Sequence, residues 1–110
     1  MFSFLRRHST PEITAEELDE LRRERDVRVL DVREDGEYRR GHLPGAIHIP
    51  LRQLPARART LPRNVRYAVI CQSGSRSRSA TDFLIAQGFD GTVSVRGGIA
   101  AWARGGRPLE

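Results

Sequence analysis

Short apolar runs alternating with helix-forming stretches constrain this chain more than any other feature. Val27–Val32, Ala46–Ile49, Tyr67–Ile70 and Thr92–Val95 read as strands, and Glu12-Ile13 as a very short one ahead of them. Runs rich in β-branched residues with little polar alternation suit strands covered on both faces. The stretches between them carry helical signals. Thr14-Ala15-Glu16-Glu17 is a capping box, and it opens a helix expected to reach about Arg25. Glu34 to Arg40 reads as a short helical turn stopped by Gly41, and Leu51 to about Ala58 as a modest helix. Ser77 to Gln87 forms a longer helix, with Ala80, Phe83, Leu84 and Gln87 along one face and Gly88 as its stop. A last short helix is expected around Ile99 to Ala103. Strands joined through helices need crossover connections, so the fold class is α/β, a parallel sheet between two helical layers.

The 110 residues suit one domain, expected over 11–110, behind a short arm at 1–10. In that arm the apolar residues precede the arginines, the reverse of a secretory signal. No apolar run approaches the ~18 residues of a membrane span. The charge is +5, and all nineteen basic residues are arginine. That balance favours anionic ligands, but the arginines are interspersed with acids, as in Leu21–Asp26. No aromatic–basic stripe marks a nucleic-acid surface.

The single cysteine excludes an internal disulfide, a Cys-x-x-Cys site and any cycle needing a resolving thiol within the chain. It suits a reducing compartment, and the expected location is cytoplasmic. The three histidines, His8, His42 and His48, are scattered and no metal site is expected. His42 reads as part of the turn from Gly41 to Gly45, and Trp102 as a core anchor.

Cys71 ends the most hydrophobic strand, and Gln72-Ser73-Gly74-Ser75-Arg76 leads from it into a helix. By itself a cysteine at a strand end is usually a small buried hydrophobe. The loop after it argues otherwise. Backbone N–H groups curling into a helix N-terminus form a nest for an anion. Gly74 permits the curl, Ser73, Ser75 and Ser77 are candidate caps or donors, and Arg76 and Arg78 bring positive charge to the rim. A thiol held there is expected to ionise below its ordinary pKa of about 8.5 and to act as a nucleophile. Asp31, ending its own strand, is a candidate to bond loop amides or to pair with an arginine. Arg33 lies near the same sheet end and is a candidate to reach the pocket.

The loop Cys71–Ser77 resembles the active-site loop of the single-domain rhodanese family. Leu30-Asp31-Val32-Arg33, the run from Tyr38 to Ala46, Ile49-Pro50-Leu51 and Gly97–Trp102 resemble its other signatures, in the family's order. The resemblance spans about Ile13 to Trp102. It implies a rhodanese-like three-layer sandwich with about five mostly parallel strands. It also implies a sulfurtransferase in which Cys71 takes a sulfane sulfur from a donor such as thiosulfate. A persulfide at Cys71 would pass it to a thiol, a partner protein or cyanide. Gln72, Ser73, Gly74, Ser75, Arg76 and Ser77 would cradle the anion, and no cofactor is required. The competing readings are a cysteine-dependent phosphatase or arsenate reductase and a sulfur-carrier or binding module. The usual phosphatase signature places arginine six residues after the cysteine; here Arg76 and Arg78 stand five and seven after it.

Overall fold

The structure, a computed structural model, describes residues 9–110. His8 and most of the expected arm lie outside the described residues. Five strands form one sheet: β1 (Glu12–Ile13), β2 (Arg28–Asp31), β3 (Ile47–His48), β4 (Tyr67–Ile70) and β5 (Val93–Val95). The order is β1-β5-β4-β2-β3, and every pairing is parallel. The helices are α1 (Ala15–Arg23), α2 (Asp35–Arg39), α3 (Leu54–Arg57), α4 (Ser75–Ala86) and α5 (Gly98–Arg104). Among the described residues, no helix is long and apolar enough to cross a membrane.

The pleat of β4 divides the core. Tyr67, Val69 and Cys71 pack with Ala80 and Leu84 of α4 and with Leu54 and Ala58. Ala68 and Ile70 face the opposite way, against Ala15 and Leu18 of α1 and Ile99 and Trp102 of α5. Successive strand residues point to opposite faces, so one four-residue strand supplies both layers. Each large apolar side chain fully removed from water contributes roughly 1.5–3 kcal/mol, and Leu18, Leu30, Leu54, Leu84 and Trp102 are all of this kind.

The element boundaries depart from expectation for identifiable reasons. The capping box is present: Glu17 N–H donates to Thr14 Oγ1 at 3.1 Å, and Thr14 N–H to Glu17 Oε1 at 2.8 Å. However, α1 stops at Arg23, because Arg25 adopts a left-handed φ of 61°. The expected helix over Leu51–Ala58 is α3 set between 3₁₀ turns at Leu51–Gln53 and Ala58–Thr60. Helix α4 begins at Ser75, two residues ahead of expectation. Its cap is Gly74, at φ 117°, with no side-chain cap bond. Gln87, expected on the packed face, is exposed, and Ser77 and Thr81 are buried in its place.

Parallel pairing places all carboxyl ends at one edge of the sheet, where ligands of such sheets bind. The register sets Asp31 beside both Ile70 and His48, so the residues following β2 and β4 emerge together. The turn after β5 joins them, as Ile99 N–H donates to the Cys71 carbonyl at 2.9 Å.

Candidate active site

Cys71 is 1% exposed, and its sulfur is surrounded by donors. Gly74 N–H donates to Sγ at 3.1 Å and Ser77 N–H at 3.3 Å, with Ser77 Oγ at 3.6 Å. Burial pushes the thiol pKa up, but the hydroxyl and amide of Ser77 and the amides of Gly74 and Ser73 more than offset this and hold it below its ordinary value. The curl that aims these amides inward is the left-handed Gly74 leading into α4. Ser77 is itself anchored, with Oγ 3.0 Å from the Gly74 carbonyl and 2.7 Å from Ser94 Oγ on β5.

The Gly97-Gly98 turn closes over the loop. A Cβ on Gly98 would lie 2.2 Å from the Cys71 carbonyl oxygen and 2.6 Å from that of Gln72, and its φ is +57°. Only glycine allows this approach. Ile99 and Ala100 N–H then bond the carbonyls of Cys71 and Gln72 at 2.9 and 3.2 Å. Trp102 is fully buried beneath the turn and donates Nε1–H to the Pro108 carbonyl at 2.8 Å.

Arg33 is not an exposed arginine; it is 2% exposed and lies against Asp31. Nε–Oδ1 is 3.0 Å and Nη2–Oδ2 is 2.8 Å, and Arg33 N–H adds a third bond to Oδ1. Nη2 also donates to the Gly41 carbonyl at 2.7 Å, and Nη1 approaches Gln72 Oε1 at 3.5 Å. A buried charge needs such pairing, since an isolated one is strongly disfavoured. The pair thus fixes the wall of a cleft of about 410 Å³ lined by Arg33, Glu37, Arg40, Gly41, Gln72, Ile99 and Leu109.

The structure brings Cys71, Gly74 and Ser77 together, with Asp31 and Arg33 beside them. Gln72, Ser73 and Ser75 are exposed along the outside of the loop. Arg76 is placed otherwise than a donor at the rim: Nη1 and Nη2 bond Glu37 Oε1 and Oε2 at 2.7 and 2.9 Å. That two-point pair holds Glu37 down to a pKa of about 2. Arg78 lies 3.8 Å from Glu12. His42 does order its turn, with Nδ1 3.0 Å from the Tyr38 carbonyl. His48, which had no identifiable partner in the sequence, lies 2.7 Å from the Arg33 carbonyl through Nε2. Tyr38 stacks between the two histidines, at centroid distances of 3.8 and 4.1 Å. Sequence reading missed Glu37, Ser94 and Leu109. Only Glu37 stood near a recognised signature, immediately before the run from Tyr38 to Ala46.

A model of the rhodanese-like domain matches residues 14–104. This chain belongs to the rhodanese-like family. A sulfurtransferase of Allochromatium vinosum is 37% identical over 84 residues, 76% of this chain and 78% of that protein. The rhodanese-related protein of Thermoplasma volcanium superposes with a TM-score of 0.84 at 38% identity, over 91% of this chain and 97% of that one. The thiosulfate sulfurtransferase of Pseudomonas aeruginosa superposes with a TM-score of 0.78 at 32% identity. That match covers 96% of this chain but 21% of the other. The family is that of sulfurtransferases, and the rhodanese-like three-layer fold that the resemblance implied is the fold observed.

Proposed function

We propose that this protein is a sulfurtransferase in which Cys71 carries the sulfur as a persulfide. The observation that carries the reading is the pair of backbone amides, of Gly74 and Ser77, that donate to Sγ at 3.1 and 3.3 Å, with Ser77 Oγ 3.6 Å away. They favour a thiolate before reaction and an anionic outer sulfur after it.

The Cys71 thiolate attacks the outer sulfur of an anionic donor such as thiosulfate. A bond forms between Sγ and that sulfur, the donor's S–S bond breaks, and its electron pair leaves with sulfite. A thiol acceptor, a partner protein or cyanide then attacks the terminal sulfur and releases the Cys71 thiolate. The scheme is covalent and ping-pong, and an already ionised thiol needs no side-chain base. A reducing cytoplasm suits a free catalytic thiol. The phosphatase reading is less favoured because the arginine in the loop is occupied by Glu37, leaving its guanidinium committed away from a phosphate.

Intact mass after incubation with thiosulfate tests the reading. A gain of one sulfur, removed by cyanide and absent in Cys71→Ser, is the expected result. Persistent turnover in Cys71→Ser would overturn the scheme.

A further inference from the structure

Ser94 is the middle residue of β5, and its neighbours Val93 and Val95 pack into the layer of α1 and α5. Alternation turns Ser94 the other way, toward α4, where it is fully buried. A hydroxyl removed from water is costly unless it is bonded. Among the described residues Ser94 Oγ has one partner, Ser77 Oγ at 2.7 Å. Ser77 Oγ also lies 3.0 Å from the Gly74 carbonyl and 3.6 Å from Cys71 Sγ. A hydroxyl carries one proton and two lone pairs, and this fixes the direction of the bond between the serines. Were Ser77 the donor, the Ser94 proton would be buried without an acceptor, and no hydroxyl proton would remain for the carbonyl or the sulfur. With Ser94 as donor every group is satisfied. A Cys71 thiol gives its S–H to Ser77 Oγ, which accepts from both neighbours and donates to Gly74. A thiolate instead draws the Ser77 proton to itself, and the Gly74 carbonyl keeps the Arg78 N–H at 3.2 Å.

We propose that Ser94 is a positioning residue: by donating to Ser77 it leaves the Ser77 proton free to turn between the Gly74 carbonyl and the Cys71 sulfur as charge arrives at and leaves that sulfur. The role in turnover rests on the sulfurtransferase reading above, whereas the orientation of the two hydroxyls rests on the distances alone. A hydroxyl that accepts one hydrogen bond donates the next more strongly, so Ser94 strengthens the bond from Ser77 to a thiolate. The help is selective. Without Ser94, Ser77 still accepts from a thiol and donates to Gly74, but beside a thiolate its oxygen accepts nothing. The loss therefore falls on the charged state. The charges around the loop are paired with one another, Arg76 with Glu37, Arg33 with Asp31, and Arg78 and Arg96 with Glu12, so a change at Ser94 leaves them in place.

The test follows the ultraviolet absorbance of the thiolate against pH, with Cys71→Ser as the blank; the chain's single cysteine makes the signal assignable. Below the midpoint, Ser94→Ala is expected to hold about three- to tenfold less thiolate than the unaltered protein, the worth of one hydrogen bond. The acid limb of kcat/KM with thiosulfate should move to higher pH with it. Ser94→Thr, which keeps the hydroxyl, should restore most of the thiolate. In a Ser77→Ala background Ser94→Ala should add nothing, because Ser94 acts only through Ser77. A midpoint unmoved in Ser94→Ala, or moved equally with and without the Ser77 hydroxyl, would overturn the assignment of Ser94. Failure of the unaltered protein to take up sulfur from thiosulfate would instead defeat the sulfurtransferase reading, and the titration would still decide the role of Ser94 at the thiol.

Discussion

Arg76 grips Glu37 through both guanidinium nitrogens, at 2.7 and 2.9 Å. The contact joins the first turn of α4, which follows the cysteine loop, to α2. The arginine thus holds the loop in place instead of standing free at its rim. Arg76→Ala is expected to lower sulfur transfer and to cost about 1 kcal/mol of stability, the upper range for a partly exposed pair. A double-mutant cycle with Glu37→Ala measures the coupling; strictly additive losses would show that the pair does not act as a unit.

The same pair predicts a response to acid. Folding lowers the Glu37 pKa from 4.5 to about 2, with the Arg76 hydrogen bonds as the largest cause. A depressed carboxylate contributes stability that is present above its unfolded pKa and lost as pH falls through the folded one. The thermal midpoint should therefore drop between about pH 4.5 and 2. Glu37→Gln should be less stable near neutrality and show a shallower drop across that window.

Ser77 is expected to set the reactivity of the thiol. Ser77→Ala removes the hydroxyl near Sγ and leaves buried Ser94 without its 2.7 Å partner. Burial then meets less opposition, and the acid limb of the pH–rate profile should shift to higher pH. The stability cost should be about 1–3 kcal/mol from the orphaned hydroxyl. A profile that stays in place would show that the Ser77 hydroxyl does not hold the thiol pKa down.

Glycines at two left-handed positions should respond differently. Gly98→Ala puts a methyl 2.2 Å from the Cys71 carbonyl and should abolish soluble, active protein. Gly45→Ala meets nothing within 4 Å and should cost only about 1 kcal/mol, from the backbone alone. Similar thermal midpoints for the two would refute the close approach.

Asp31→Asn should be among the most damaging polar changes. It strips the charge partner from an arginine that is itself 2% exposed. Breaking such a buried pair costs about 3–5 kcal/mol. Chemical denaturation measures it, and a loss under 1 kcal/mol would mean that water or another acid compensates.

Much of this arrangement was legible in the residues. The β-branched runs separated by helices dictated parallel pairing, because parallel neighbours need crossovers. The strand Tyr67–Ile70 stands with the bounds expected of it, since four apolar residues between polar turns leave little choice. Gln72 to Arg76, small and polar ahead of a helix, announced an amide nest at Cys71. Thr14 and Glu17 announced the start of α1.

What the sequence by itself determined was therefore local or periodic: which segments are strands, roughly where the helices lie, and which loop could curl its amides toward a cysteine. Tertiary structure alone decided which charges meet. Arg76 had several acids within plausible reach, and the crossover through β3 brought it to Glu37, 39 residues away. Arg33 became buried because β2 and β4 emerge side by side, a register that no local pattern states. Leu109 entered the cleft through backbone bonds between Glu110 and His42, distant in sequence and adjacent only once both cores had formed. Propensity and period act over neighbouring residues, whereas a site is assembled by long-range packing that fixes distances between segments.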